Sequence, residues 1–237
     1  MARKIGSIVL VAGGFAEVDH AGEHLQAELA RAADETGVRV LGPNTAGHIS
    51  TPANFTSSFF PLGEIPRGGI SYVAQTGNFT GAMMKHIMSA ENYGVARCIG
   101  LGNTIDIDET DVFEFLATDK HTKAIFFYLE SLRRPQRFIE IAKRVTSEKP
   151  VILLKGGATP EGAKAAQSHT ASMASDDRIL DRAASVTESY DTFINEAHQY
   201  DTSNWWRPDW RDSTSGAWEQ KEIKRKLYRA VTNVNIL

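Results

Sequence analysis

A single cysteine, Cys98, is all the thiol chemistry in the 237-residue chain. One thiol cannot close an intrachain disulfide, and no metal-ligating residues lie near it in sequence, so Cys98 is expected as a small apolar core residue beside Ile99 in a reducing compartment. An excess of positive charge is also lacking. The 26 Lys and Arg against 29 Asp and Glu give a formal net charge of -3, which leaves no basic footprint for nucleic acid. Long hydrophobic runs are missing too. The apolar start "SIVLVAGGF" breaks at Gly13 and Gly14, short of the roughly 20 residues a spanning helix needs, and it lacks the small-residue cleavage pattern of a secretory signal. A cytoplasmic protein without a membrane partner is the expectation. No internal repeat or low-complexity tract interrupts the chain.

What the sequence does contain is alternation. "SIVLVAGGF" reads as a buried strand, "AGEHLQAELARAADETG" as a helix with Leu25, Leu29 and Ala33 at helical spacing and Gly37 as its stop, and "VRVLGPN" as a second strand. Residues 43–66 are rich in Pro, Ser and Thr and predict a loop at a domain junction. From Gly68 onward four strand patterns, "GGISYVAQTG", "VARCIGLGN", "KAIFFYLE" and "PVILLKGG", are separated by helical ones. In the last of these helices Phe138, Ile139, Ala142 and Val145 are expected on one side. This order predicts an α/β fold with a doubly wound parallel sheet. Met83, Met84 and Met88 fit the core side of the first of its helices. Beyond Tyr200 the periodicity stops in a stretch containing Trp205, Trp206, Trp210 and Trp218.

In such a sheet ligands bind beyond the carboxyl ends of the strands, so the residues following each strand carry the chemistry. Gln75, Thr76, Gly77 and Asn78 open a helix there, either as an ordinary N-cap or as an anion-binding helix start. "GLGNTIDIDETD" reads as a phosphate-side loop, a metal loop or a turn with helix caps; the spacing of Asp106, Asp108 and Asp111 does not fit an EF-hand. Glu130 directly follows "AIFFYL" and is either solvent-facing or held there to work. "KGGATPEGAK" fails the Walker A template because Ala165 follows Lys164. His169, within "KAAQSHTASMASDD", is expected to stay at the same carboxyl edge, where a histidine beside a carboxylate and a helix N-terminus suits phosphoryl transfer. His86 and His121 have no neighbours that suggest a metal site, and no metal is expected on this chain.

Taken in order, "VLGPNTAGHISTP", "ISYVAQTGNFTGAM", "IGLGNTIDIDETDVFEFLATD", "FYLES", "KPVILLKGG" and "SHTASMASDD" resemble the alpha part of nucleoside-diphosphate-forming acyl-CoA synthetases, the group of ADP-forming acetate–CoA ligase and the succinyl-CoA synthetase alpha subunit. The resemblance implies a flavodoxin-like ligase domain at residues 63–190, preceded by the closing portion of a Rossmann-like CoA-binding domain at 1–62 and followed by a divergent tail at 191–237. It implies interconversion of acyl-CoA, phosphate and ADP with a carboxylic acid, CoA and ATP, through an acyl phosphate and a phosphohistidine. Carried over by motif, His169 is the phosphorylated residue and Glu130 its carboxylate partner. Gln75, Thr76, Gly77 and Asn78 hold the phosphate, and Asn44 lies near the acyl–CoA junction. Coenzyme A, ATP or ADP and Mg2+ are the implied ligands, the nucleotide and Mg2+ being bound by an ATP-grasp partner subunit or domain in an oligomeric assembly. Two residues depart from the family pattern: Ala171 stands where glycine is usual, and Thr45 where cysteine is common. The alternative function is a non-catalytic binding or regulatory module that keeps the ligase fold.

Overall fold

A computed structural model of the protein describes residues 5–60, 62–77, 80, 81, 84 and 94–155. The chain opens with β1 (Ser7–Val9), α1 (His20–Thr36) and β2 (Arg39–Leu41), and β1 pairs parallel with β2 in a two-stranded sheet. Asp19 caps α1 by accepting the N–H of Gly22 at 2.8 Å, and Gly37 ends it in the left-handed region at φ 67°, the conformation that costs glycine least. Of the apolar residues expected along α1, Ala33 is buried, Leu29 is half-buried and Leu25 is exposed.

A second, six-stranded sheet contains β3 (His48–Ser50), β4 (Phe55–Thr56), β5 (Arg67–Ala74), β6 (Val95–Gly100), β7 (Ala124–Leu129) and β8 (Val151–Lys155), in the order β4-β3-β6-β5-β7-β8. β6, β5, β7 and β8 run parallel, and their order is the flavodoxin-like one, with the first strand between the second and third. The passage 43–66 differs from its loop expectation. β3 and β4 extend this sheet antiparallel along the outer side of β6, because "HIS" and "FT" supply strand pairs to an edge that would otherwise expose unpaired main-chain groups.

Strand alternation divides the core between the two faces of the sheet. Val73, Ile99, Ile125, Phe127, Leu129, Val151 and Leu153 join one cluster with helices α2 (Glu109–Thr118) and α3 (Pro135–Val145). Ile70, Tyr72, Cys98 and Met84 pack on the other face. Helical backbone begins on that side at Gly77, so the sheet is covered on both faces. Along α3 the buried positions are Phe138, Ile141, Ala142 and Val145; Ile141 takes the place expected for Ile139, since 138, 141, 142 and 145 form the tighter helical stripe. Phe113, Phe127 and Phe138 meet with ring centroids 4.9–5.3 Å apart, each contributing about 1.5–3 kcal/mol by burial.

The two sheets share one core. Leu41 belongs to the cluster around Phe113, and Val9 packs against it. The segment after β6 also runs along β2: Ile107 N–H donates to Val40 O at 3.1 Å, Ile105 N–H to Gly42 O at 3.2 Å and Asn103 N–H to Pro43 O at 2.8 Å. Among the described residues no helix is long and apolar enough to cross a membrane.

Candidate functional site

β5 and β7 are neighbours in the sheet, but the chain leaves β5 for β6 on one side before returning to β7 on the other. That reversal makes a crevice beyond their carboxyl ends. Register sets what lines it. Ala74 pairs with Tyr128 and Tyr128 with Leu154, so Gln75 and Glu130 leave adjacent strands at the same edge.

Gln75 is buried, with 6% of its surface exposed. Its Oε1 accepts the main-chain N–H groups of Glu130 at 2.5 Å and Ser131 at 3.0 Å, while its Nε2 donates to Ser131 O at 2.8 Å. Its own N–H donates to Tyr128 O at 3.2 Å. The side chain thus completes the β5–β7 ladder past the point where the strands end. Thr76 O accepts from Thr80 N–H at 3.2 Å and from Thr80 Oγ1 at 3.1 Å, the first turn of the following helix. Glu130 is half-buried. Burial first, and then the charge of the nearby Glu130, push the Tyr128 phenol up to about 12.

A second hold on the same loop comes from Glu109, at the first turn of α2. Its Oε1 accepts Arg133 N–H at 2.6 Å, and the Arg133 guanidinium donates to Thr104 O. Glu109 is fully buried and its Oε2 has no hydrogen-bond partner among the described residues. Burial pushes its carboxyl up to about 7, against the opposing bond from Arg133 N–H. The neighbouring carboxylates have structural work. Asp108 caps α2, accepting the N–H groups of Thr110 at 2.9 Å and Asp111 at 3.0 Å in a capping box, and also pairs with Arg134 at 2.5 Å. Asp111 pairs with Arg134 at 2.7 Å and Arg39 at 3.3 Å, and Asp106 with Arg39 at 3.0 Å. The turn with helix caps read in "GLGNTIDIDETD" is present, with Asp108 and Asp111 forming the capping box. Among the described residues no three His, Cys, Asp or Glu side chains converge to hold a metal ion.

Asn44 enters from the N-terminal unit in the left-handed region at φ 57°. Its N–H donates to Ala12 O at 2.9 Å and its Nδ2 to Asn103 Oδ1 at 3.4 Å, and Asn103 Nδ2 in turn donates to Glu17 Oε2 at 2.5 Å and Gln26 Oε1 at 2.8 Å. Thr45 is buried, its Oγ1 donating to Gly100 O at 2.5 Å. Ala46 packs beside Gly77: a Cβ built there would lie 3.6 Å from the Ala46 methyl. The structure therefore brings the Asn44 loop, the start of the Gly77 helix and the loop after β6 together, and joins Gln75 to Glu130. His169 and Asn78 lie outside the described residues, as does the tryptophan-rich stretch. A cleft of about 530 Å3 lined by Ala33, Arg39, Asp106, Asp111 and Arg134 holds the ion pairs just described and none of the candidate residues.

Sequence reasoning missed the clamp by Gln75 and the polar cluster of Glu17, Gln26 and Asn103, whose partners lie far apart in the chain.

The chain is similar to several known proteins. A family profile described as "Succinyl-CoA ligase like flavodoxin domain" matches residues 67–189. The alpha subunit of ADP-forming acetate–CoA ligase I from Pyrococcus furiosus is 36% identical over 74% of the chain and 38% of that protein. The ADP-forming 4-hydroxybutyrate–CoA ligase of Nitrosopumilus maritimus is 34% identical over 76% of the chain and 26% of its own length. The solved structure of the dinucleotide-forming acetyl-coenzyme A synthetase 1 of Candidatus Korarchaeum cryptofilum, in complex with phosphate and ADP, matches with a TM-score of 0.70 and 36% identity, over 76% of this chain and 39% of that one. The chain thus spans well under half the length of these relatives.

Proposed function

Because the chain belongs to the family of the succinyl-CoA ligase-like flavodoxin domain, we propose that it is an alpha-type component of an NDP-forming acyl-CoA synthetase, interconverting acyl-CoA, phosphate and ADP with a carboxylic acid, CoA and ATP. The observation that carries this reading is the bond that ties the main chain of Glu130 to Gln75, two residues before the helix start at Gly77, at the reversal of the parallel sheet.

In the acid-forming direction a phosphate oxygen attacks the acyl carbonyl and CoA leaves as the thiolate. An imidazole nitrogen of His169 then attacks the phosphorus of the acyl phosphate, breaking its bond to the carboxylate oxygen. A terminal oxygen of ADP finally attacks the phosphohistidine, giving ATP and the free imidazole. The covalent step divides one difficult transfer into two easier ones. Glu130 accepts a hydrogen bond from the ring N–H of His169 and stabilises the charge that the imidazole gains on phosphorylation. Gln75, Thr76, Gly77 and Asn78 form the turn that receives the phosphoryl oxygens, Gln75 by holding the turn against β7 and the others by their main-chain N–H groups at the helix start. Asn44 approaches the acyl–CoA junction from residues 1–62, the closing part of a CoA-binding domain.

The relatives named as alpha subunits imply a partner subunit. We assign that partner an ATP-grasp fold that binds the nucleotide with Mg2+, in an oligomeric cytoplasmic enzyme. The test is phosphorylation of the full chain by radiolabelled ATP and Mg2+, with and without a nucleotide-binding subunit. Acid-labile, base-stable label that vanishes in His169→Ala is the expected result. Absence of label with a competent partner would sink the catalytic reading and leave a non-catalytic module of the same fold.

A further inference from the structure

We propose that Glu109 is a positioning residue for Glu130, a latch that holds the far end of the Glu130 loop through Arg133 only while its carboxyl group is protonated. This rests on the proposed phosphohistidine chemistry and adds to it a dependence on pH.

The loop between β7 and α3 is tied down at two points. Its start is held by Gln75, an amide that does not titrate. Its end is held by a carboxyl group that does: Glu109 Oε1 accepts Arg133 N–H at 2.6 Å, three residues beyond Glu130. Arg133 carries the tie onward, because its guanidinium donates to Thr104 O in the loop after β6. Glu109 itself has no exposed surface, and among the described residues its Oε2 has no hydrogen-bond partner. A neutral acid can occupy such a place, but an anion there needs water or a cation on the second oxygen. The charged groups that face it among the described residues do not supply one. On its own helix the Asp108 carboxylate adds like charge, and Arg134 is engaged by Asp108 and Asp111. On the loop the Arg133 guanidinium attracts the anion but is bonded to Thr104 O. Burial outweighs that attraction and pushes the carboxyl up to about 7. Arg133 lies at the surface, so lifting it admits water to Glu109 and frees the end of the loop. In that open state the carboxyl titrates near its ordinary 4.5, so the closed latch is favoured at low pH and is lost as pH rises through about 7. Gln75 then holds Glu130 from one side only.

Two measurements on the full chain read the latch. The first is amide hydrogen exchange at Arg133, expressed as a protection factor so that the intrinsic pH dependence of exchange cancels. Between pH 6 and pH 8 the wild-type factor should fall about threefold or more. Glu109→Gln keeps the acceptor and cannot ionise, so its factor should stay constant. Arg133 should also exchange faster than Ile125, whose N–H donates to Pro150 O within the core of the sheet, because the latch opens without global unfolding. The second measurement is single-turnover phosphorylation of His169 over the same pH range, with radiolabelled ATP, Mg2+ and a nucleotide-binding subunit. The ratio of wild-type to Glu109→Gln rates should fall by a similar factor from pH 6 to pH 8, with the same half-saturating ATP concentration in both proteins. Effects of pH on the imidazole and on the nucleotide are common to the two and cancel in the ratio. Should Glu109→Gln fail to fold, the wild-type exchange at Arg133 and Ile125 decides. A constant wild-type protection factor, equal protection at Arg133 and Ile125, or a rate ratio that does not move with pH overturns the latch and leaves the phosphohistidine intact. No label in wild type, or label that survives His169→Ala, is a different failure: it removes the functional reading and this positioning role with it.

Discussion

Glu109 Oε1 accepts the main-chain N–H of Arg133 at 2.6 Å, joining the first turn of α2 to the loop that follows β7. The bond links two crossover units of the sheet, and it does so with a carboxyl group that burial pushes up to about 7. The folded protein therefore binds the Glu109 proton more tightly than the unfolded chain, whose carboxyl titrates near its ordinary 4.5. Stability from this group is fully present below the unfolded value and is lost as pH rises through about 7. The gap between 4.5 and about 7 corresponds to on the order of 3 kcal/mol. Glu109→Gln keeps an acceptor for Arg133 and cannot ionise. Denaturant melts at pH 5 and pH 8 should show wild type losing stability relative to Glu109→Gln at the higher pH. Parallel pH profiles for the two proteins would show that Glu109 keeps an ordinary carboxyl.

Asp108 caps α2 and pairs with Arg134 through one carboxylate. Burial opposes its charge, but Arg134 and the N–H groups of Asp111 and Thr110 outweigh that and hold its carboxyl below the usual value. Asp108→Ala removes the cap and should cost about 1–2 kcal/mol, whereas Asp108→Asn keeps an acceptor for the helix N–H groups and should cost less. Equal losses in the two variants, read from denaturation midpoints, would assign the stabilisation to the Arg134 ion pair instead of the cap.

Gly102 lies at φ 66°, and a Cβ there would meet Pro43 O at 2.1 Å. Gly102→Ala should destabilise the protein by at least about 1 kcal/mol from the left-handed backbone alone, with the clash adding to it, and should weaken the junction between the Asn44 loop and the loop after β6. An unchanged melting midpoint would place these loops further apart than the structure has them.

Cys98 is 2% exposed, and burial pushes its thiol up to about 12. A thiolate-selective disulfide reagent should modify it at a rate set by unfolding, rising with denaturant in step with the melt. Fast modification of the native protein at neutral pH would contradict its place between Ile49 and Tyr72 in the sheet.

Several features could be read without the structure. The strand-helix alternation from Gly68 onward is a local pattern of burial, and it yields the parallel sheet, its crossover helices and the strand ends where Gln75 and Glu130 fall. The interior placement of Cys98 also follows from local chemistry. Less legible were β3 and β4, whose two- and three-residue strands carry no periodicity to detect and exist because the edge of β6 accepts them. The carboxylates of residues 106–111 could not be sorted by spacing, because their partners Arg39, Arg133 and Arg134 come from elsewhere in the chain.

The sequence by itself determined the order of elements and the chemistry available at each strand end, since both follow from side-chain type and short-range periodicity. What only the tertiary structure decided is how those ends are held: which amide clamps which loop, and which acid is buried with its carboxyl pushed up to about 7. The physical reason is that hydrogen-bond partnership and burial depend on groups brought together from distant parts of the chain. Gln75 and Glu130 are 55 positions apart, and no local pattern encodes that one should hold the other.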